Sequence, residues 1–143
     1  MDFALTEEQK VVQDTFARFS DEQVAPRAAE IDEAHEFPRE LFQALGELGY
    51  FGMRYPEDVG GSGVDLLTYC LALVEVARGS MSLAGACTMQ GLMGTKFLHM
   101  LGNEDVHERL FKPAVQGEKI GGICMTEPNA GSDLGGIATS AAK

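Results

Sequence analysis

Between Thr6 and Pro113 apolar residues recur at three- and four-residue spacing, and beyond Pro113 that spacing stops. Such a repeat places side chains on one face of a helix, so the first part of the chain is committed to helices. Thr6 followed by Gln9 fits a capping box, and Glu7 and Glu8 suit the positive end of a first helix lined by Val12, Phe16 and Phe19. Pro26, without an amide hydrogen, bends or restarts it. A second stretch runs through Ala28 and Ile31 toward His35. Pro38 opens a third helix, with Leu41, Phe42, Leu45 and Leu48 on one side and Gly49 as its cap. An extended piece over residues 50–53 and a loop over 56–63 follow.

Asp65 caps the next helix, whose apolar face reads Leu67, Cys70, Leu71, Val74 and Ala77 and which ends at Gly79. Ser80 or Ser82 starts a long helix to Leu101 that is apolar nearly all round and therefore central. Gly102 closes it. Asn103 caps another, with Val106 and Leu110 inward. After a turn at Gly117, Ile-Gly-Gly-Ile-Cys-Met over 120–125 reads as a strand whose glycines permit close backbone approach, and 137–142 as the start of another. The expected architecture is an all-α domain over residues 1–115, in an orthogonal or up-down arrangement, and the opening of a β domain over 116–143. One or two strands make no stable sheet and leave bare edges, so the chain reads as the front of a longer protein.

The 143 residues, 45% of them apolar, suffice for one domain with a core. A net charge of −11 argues against nucleic acid and anionic membranes as partners. Cys70, Cys87 and Cys124 are odd in number and form no Cys-x-x-Cys pair, which fits a reducing compartment. His35, His99 and His107 lack zinc-site spacing with them, so no metal is expected. The N-terminus resembles neither a secretory nor a transit peptide, and the cytoplasm is the expected location rather than the mitochondrial matrix. Gln90, Lys96 and His99 interrupt the apolar run from Met81 to Leu101, so no membrane insertion is expected.

The sharpest motif is Cys124-Met125-Thr126-Glu127-Pro128-Asn129-Ala130-Gly131-Ser132-Asp133-Leu134-Gly135-Gly136. Hydroxyls, small residues and a turn are packed together, so backbone N–H groups can approach an anionic ligand unobstructed. The order is small, apolar, Ser/Thr, Glu, two variable positions, small, Gly, Ser/Thr, Asp, two variable positions, small. Every fixed position resembles the flavin-binding signature of the acyl-CoA dehydrogenase family. That resemblance implies FAD as cofactor. The segment from Ile123 to Ser132 would lie along the flavin, with Cys124, Met125 and the Thr126 hydroxyl at the pyrimidine side and Gly131 and Ser132 near the pyrophosphate. Ser132 would also touch the thioester ligand. Glu127 and Asp133 are expected to be structural, accepting backbone N–H bonds.

Residues 60–63, Gly-Gly-Ser-Gly, lack the Lys and Ser/Thr of a P-loop and read as a flexible helix connection, similar to the loop this family has between its early helices. The resemblance also makes the long helix a wall of the acyl pocket, with Met89, Gln90, Leu92 and Met93 as candidates; Met is adaptable lining for an apolar chain. Small residues at Ala84, Gly85 and Ala86 suit a branched or cyclic acyl group. The family's α-proton base, a Glu of a C-terminal helical domain, matches no residue here, so the isolated chain is expected not to catalyse. The implied reaction of the whole enzyme is oxidation of an acyl-CoA to the trans-2-enoyl thioester. Electrons would pass to an electron-transfer flavoprotein, and the assembly would be a homotetramer or dimer of dimers. A flavin oxidase or monooxygenase of the same fold, or a non-catalytic helical subunit docked on a larger flavoprotein, stays open as an alternative.

Overall fold

The computed structural model describes residues 3–142. Helix α1 (Glu7–Phe19) starts with the expected capping box: the Gln9 amide donates to Thr6 Oγ1 and the Thr6 amide to Gln9 Oε1. It runs into a π turn at Ser20–Val24 and a 3-10 turn at Ala25–Arg27 that carries Pro26. Helix α2 (Ala28–Ala34) then begins, and His35 ends it in the left-handed region at φ 54°. Pro38 sits just before α3 (Arg39–Glu47), and Gly49, at φ 80°, supplies the turn that leaves it.

Helices α1 and α4 (Leu66–Gly79) pack against each other around an aromatic core. Phe16 meets the Tyr50 ring edge-on at 5.5 Å, and Phe42 lies 4.5 Å from Phe51. Each such fully buried side chain contributes about 1.5–3 kcal/mol of burial. The Ser20 hydroxyl donates to the Glu75 carbonyl at 2.7 Å and joins the π turn to α4. A smaller cluster of Tyr55, Phe111 and Val115 sits beside it.

Three sequence expectations are corrected. Residues 50–53 are not extended: Tyr50–Gly52 is a buried 3-10 turn, because its three side chains must all enter the core. On α4 the inward residues are Thr68, Tyr69, Ala72, Glu75 and Val76, while Leu67, Cys70 and Val74 of the expected face are exposed and Leu71 and Ala77 half-buried. The inward polar groups are satisfied: Thr68 Oγ1 donates to the capping Asp65, and the Glu75 carboxylate accepts from Gln13 and Arg78. Finally, residues 120–125 and 137–142 form no strand; among the described residues the one bridge joins Glu127 and Ala130. A strand exists through its ladder partner, and this chain offers none to either segment.

The long helix is interrupted. It comprises α5 (Met81–Met89), a π turn at Gln90–Gly94 and α6 (Lys96–Leu101). It is not enclosed on all sides, since Met81, Phe97, Met100 and Leu101 are exposed. Asn103 caps α7 (Glu104–Val106), and a further π turn at His107–Phe111 leads to α8 (Lys112–Val115). Phe111, Ala114 and Val115 are buried here, whereas the expected Val106 and Leu110 are only half-buried. Among the described residues no helix is long and apolar enough to cross a membrane.

Candidate functional site

Gln90 organises the site. It is 1% exposed, on a helix otherwise rich in apolar and small residues. Its Nε2 donates to the Ala114 carbonyl at 2.8 Å and the Lys119 carbonyl at 2.9 Å, and its Oε1 accepts the Gly121 amide at 2.6 Å. The side chain thus clamps the segment that leads into the 124–136 motif. Gly94 and Gly121 complete the clamp. A Cβ on Gly94 would lie 2.6 Å from the Gly121 carbonyl carbon, so the two backbones touch because neither residue has a side chain. The expected close approach at the 121–122 glycines is therefore made by Gly121 against the π turn.

The π turn is locally satisfied. The Thr95 amide and Oγ1 both donate to the Gln90 carbonyl, and Tyr55 Oη lies 2.8 Å from Thr95 Oγ1 and 3.3 Å from the Gly91 carbonyl. Beside it, His99 packs on Phe111 at 5.2 Å and meets Tyr55 edge-on at 5.0 Å. Its Nδ1 is buried without a hydrogen-bond partner. Burial, and then the Lys96 charge, push its pKa below the usual 6.5, so the ring is neutral at neutral pH.

Two glycine-rich loops differ sharply. Around 60–64 every amide is spent inside the chain: Gly60 donates to Glu57, Gly61 to Pro56, Ser62 to Gly52, Gly63 to Tyr55 and Val64 to Met53. This loop is a tied connection rather than a flexible one, and it has no donors left for a phosphate. In the 124–136 motif only the ends are tied. Glu127 and Ala130 bond to each other across the Pro128-Asn129 turn. The Glu127 carboxylate accepts the Ala138 and Thr139 amides and the Thr139 hydroxyl, which hold its pKa below the ordinary 4.5. Asp133 accepts the Gly135 amide at 3.0 Å. Both carboxylates are structural, as the sequence indicated. Cys124, Met125, Thr126, Gly131 and Ser132 are exposed and Ile123 half-buried, and a Cβ on Gly131 would meet nothing within 4 Å. The amides of Thr126, Gly131 and Ser132 and the two hydroxyls form no hydrogen bond within the described residues.

Of the expected wall, Met89 and Leu92 are exposed and Met93 is half-buried. Gln90 faces no opening, its amide being consumed by the clamp. Sequence reasoning missed that role, although a lone carboxamide in an apolar helix was the available signal. It also missed Tyr55 and Thr95, whose hydroxyls support the π turn.

Residues 6–118 match the family described as "Acyl-CoA dehydrogenase, N-terminal domain". The chain belongs to this family. Over all 143 residues it is 71% identical to a benzylmalonyl-CoA dehydrogenase of Aromatoleum aromaticum and spans 38% of that protein. Butyryl-CoA dehydrogenase of Megasphaera elsdenii superposes with a TM-score of 0.86 at 33% identity, covering 97% of this chain and 37% of its own. A chain in a structure of the electron-transferring flavoprotein of Acidaminococcus fermentans gives the same score at 33% identity, covering 95% of this chain and 36% of its own. This acyl-CoA dehydrogenase domain therefore spans a little over a third of the length of such relatives.

Proposed function

We propose that this chain is the N-terminal part of an FAD-dependent acyl-CoA dehydrogenase that oxidises a bulky acyl-CoA to its trans-2-enoyl form. The carrying observation is the 124–136 loop, whose free amides and hydroxyls stand out from a backbone clamped by Gln90 and the Gly94–Gly121 contact. These donors fit a flavin. Thr126 would hold the ring's pyrimidine edge, where negative charge gathers on reduction, with Ile123, Cys124 and Met125 alongside it. Gly131 and Ser132 would hold the pyrophosphate, Ser132 also reaching the CoA part of the substrate. FAD, when bound, supplies the acceptor for the β hydride. Met89, Leu92 and Met93 would wall the acyl pocket, with Gln90 positioning them. In this reading residues 1–115 are the helical domain and 116–143 open the flavin-binding β domain.

The relative at 71% identity is named for benzylmalonyl-CoA, and we take the same class of thioester as substrate here. The α-proton base comes from outside these residues, so the isolated chain does not turn over. Electrons pass to an electron-transfer flavoprotein, and the assembly is a homotetramer or dimer of dimers. The test is the visible spectrum of the full-length protein after gel filtration. Flavin bands that bleach on adding an acyl-CoA support the reading; a protein that stays colourless with excess FAD refutes it.

A further inference from the structure

We propose that Arg54 and Lys96 form an anion subsite that takes the free carboxylate of the acyl group, an inference that rests on the function proposed above. The two cations line one pocket of about 110 Å³ together with Tyr55, Gly91 and Leu92. Neither has a carboxylate partner among the described residues. Lys10, Arg27, Arg78, Arg109 and Lys112, by contrast, all bind Asp or Glu. In a chain of net charge −11, two unneutralised cations on one small pocket are a local reversal of the prevailing field.

Both cations are oriented. The Arg54 guanidinium lies 6.0 Å from the Tyr69 ring centre and the Lys96 ammonium 5.9 Å from that of Tyr55. Tyr55 is fixed in turn through Thr95 and Gly91. The floor is the π turn that holds the entry to the flavin loop: Gln90 clamps Gly121, and the next two residues, Gly91 and Leu92, line the pocket. The anion subsite and the acyl wall at Leu92 are therefore contiguous.

The chemistry follows from size and donors. A site enclosing a whole ligand has about 300–1,000 Å³. The pocket is well below that range, suited to one anionic group and a few carbons rather than a nucleotide. Arg offers a planar fork to a carboxylate and Lys a point charge. Leu92 and the Tyr55 ring supply apolar contact for the adjoining carbons. A phosphate of CoA shares this anionic chemistry, and the experiment separates the two sources.

In the FAD-loaded full-length protein, kcat/KM is measured for a malonyl-type acyl-CoA with a free carboxylate and for the matching thioester without it. Arg54→Gln and Lys96→Met are expected to lower the first about 10- to 100-fold and the second less than 2-fold, with Arg54→Lys recovering part of the loss. An equal fall for both thioesters would reassign the anion to CoA and overturn the carboxylate proposal. No fall for either would overturn the subsite. A wild-type protein that oxidises neither thioester has failed the functional reading instead. Calorimetric binding of benzylmalonate then decides the subsite separately: binding lost in the double variant supports it, and binding absent or unchanged overturns it.

Discussion

Replacing Gln90 by Met tests whether one carboxamide holds the flavin loop to the helical domain. The substitution keeps length and approximate volume, so it removes hydrogen bonds without opening a cavity. Three bonds are lost, to the Ala114 and Lys119 carbonyls and from the Gly121 amide. The Ala114 carbonyl keeps the Gly117 amide as a donor at 3.2 Å. Lys119 is exposed and Gly121 half-buried, so water reaches what they leave unpaired. No group is orphaned, and each bond counts at its net value of about 0.5–1.5 kcal/mol, or about 2–4 kcal/mol together. With a urea m-value of about 2 kcal/mol/M, the midpoint falls by about 1–2 M. The assay is urea unfolding at 25 °C combined with amide exchange, in which the Gly121 amide should lose protection before the core of α1 and α4. A variant within about 0.5 kcal/mol of wild type, with Gly121 still protected, would refute the clamp.

Gly94→Ala should destabilise by about 1–3 kcal/mol or more through overlap with Gly121, whereas Gly85→Ala, with open space around the new methyl, should stabilise α5 by about 0.5–1 kcal/mol; thermal melts of the pair decide. Burial pushes the Cys87 thiol up to about 12 from its ordinary 9.0, so a thiol reagent at neutral pH should label the exposed Cys70 and Cys124 and spare Cys87. The unfolded thiol ionises first, so stability should also fall between pH 9 and 12, and Cys87→Ala should abolish that part of the decline. Thr139→Val should raise the Glu127 pKa, read by NMR. Because the folded value is depressed, the carboxylate's contribution is present above the unfolded 4.5 and fades as pH falls through the folded value, a fade the variant should show at higher pH.

What was legible in the sequence was mostly local. The caps at Thr6, Asp65 and Asn103 lie within three residues of the amides they satisfy, and the structure has all three. The 124–136 motif is contiguous, so its two structural carboxylates could be read in order. Helix α4 was misread because both its sides are apolar, and the choice between them rests on distant partners. Tyr50, for instance, lies 3.5 Å from Tyr69, oxygen to oxygen, and Gln13 reaches Glu75 across 62 residues. The strand over 120–125 failed for the complementary reason: alternating apolar residues state a preference, and pairing must come from elsewhere. The Arg54–Lys96 pair was invisible because 42 residues separate two cations that a fold brings to one pocket.

The π turns at Ser20–Val24, Gln90–Gly94 and His107–Phe111 each hold one residue more than an α-helical turn would. In the language of insertions and deletions, each is a place where chain length sets orientation. Each residue advances an α-helix by about 100°. A single deletion at Gly91 would leave a continuous helix but swing everything from Thr95 to Leu101 about its axis by that angle. Lys96 would leave the Tyr55 ring and Leu98 its place against the Tyr55–Phe111 cluster. Loops ordinarily absorb changes of length; here one residue inside a helix decides which side chains face which half of the molecule.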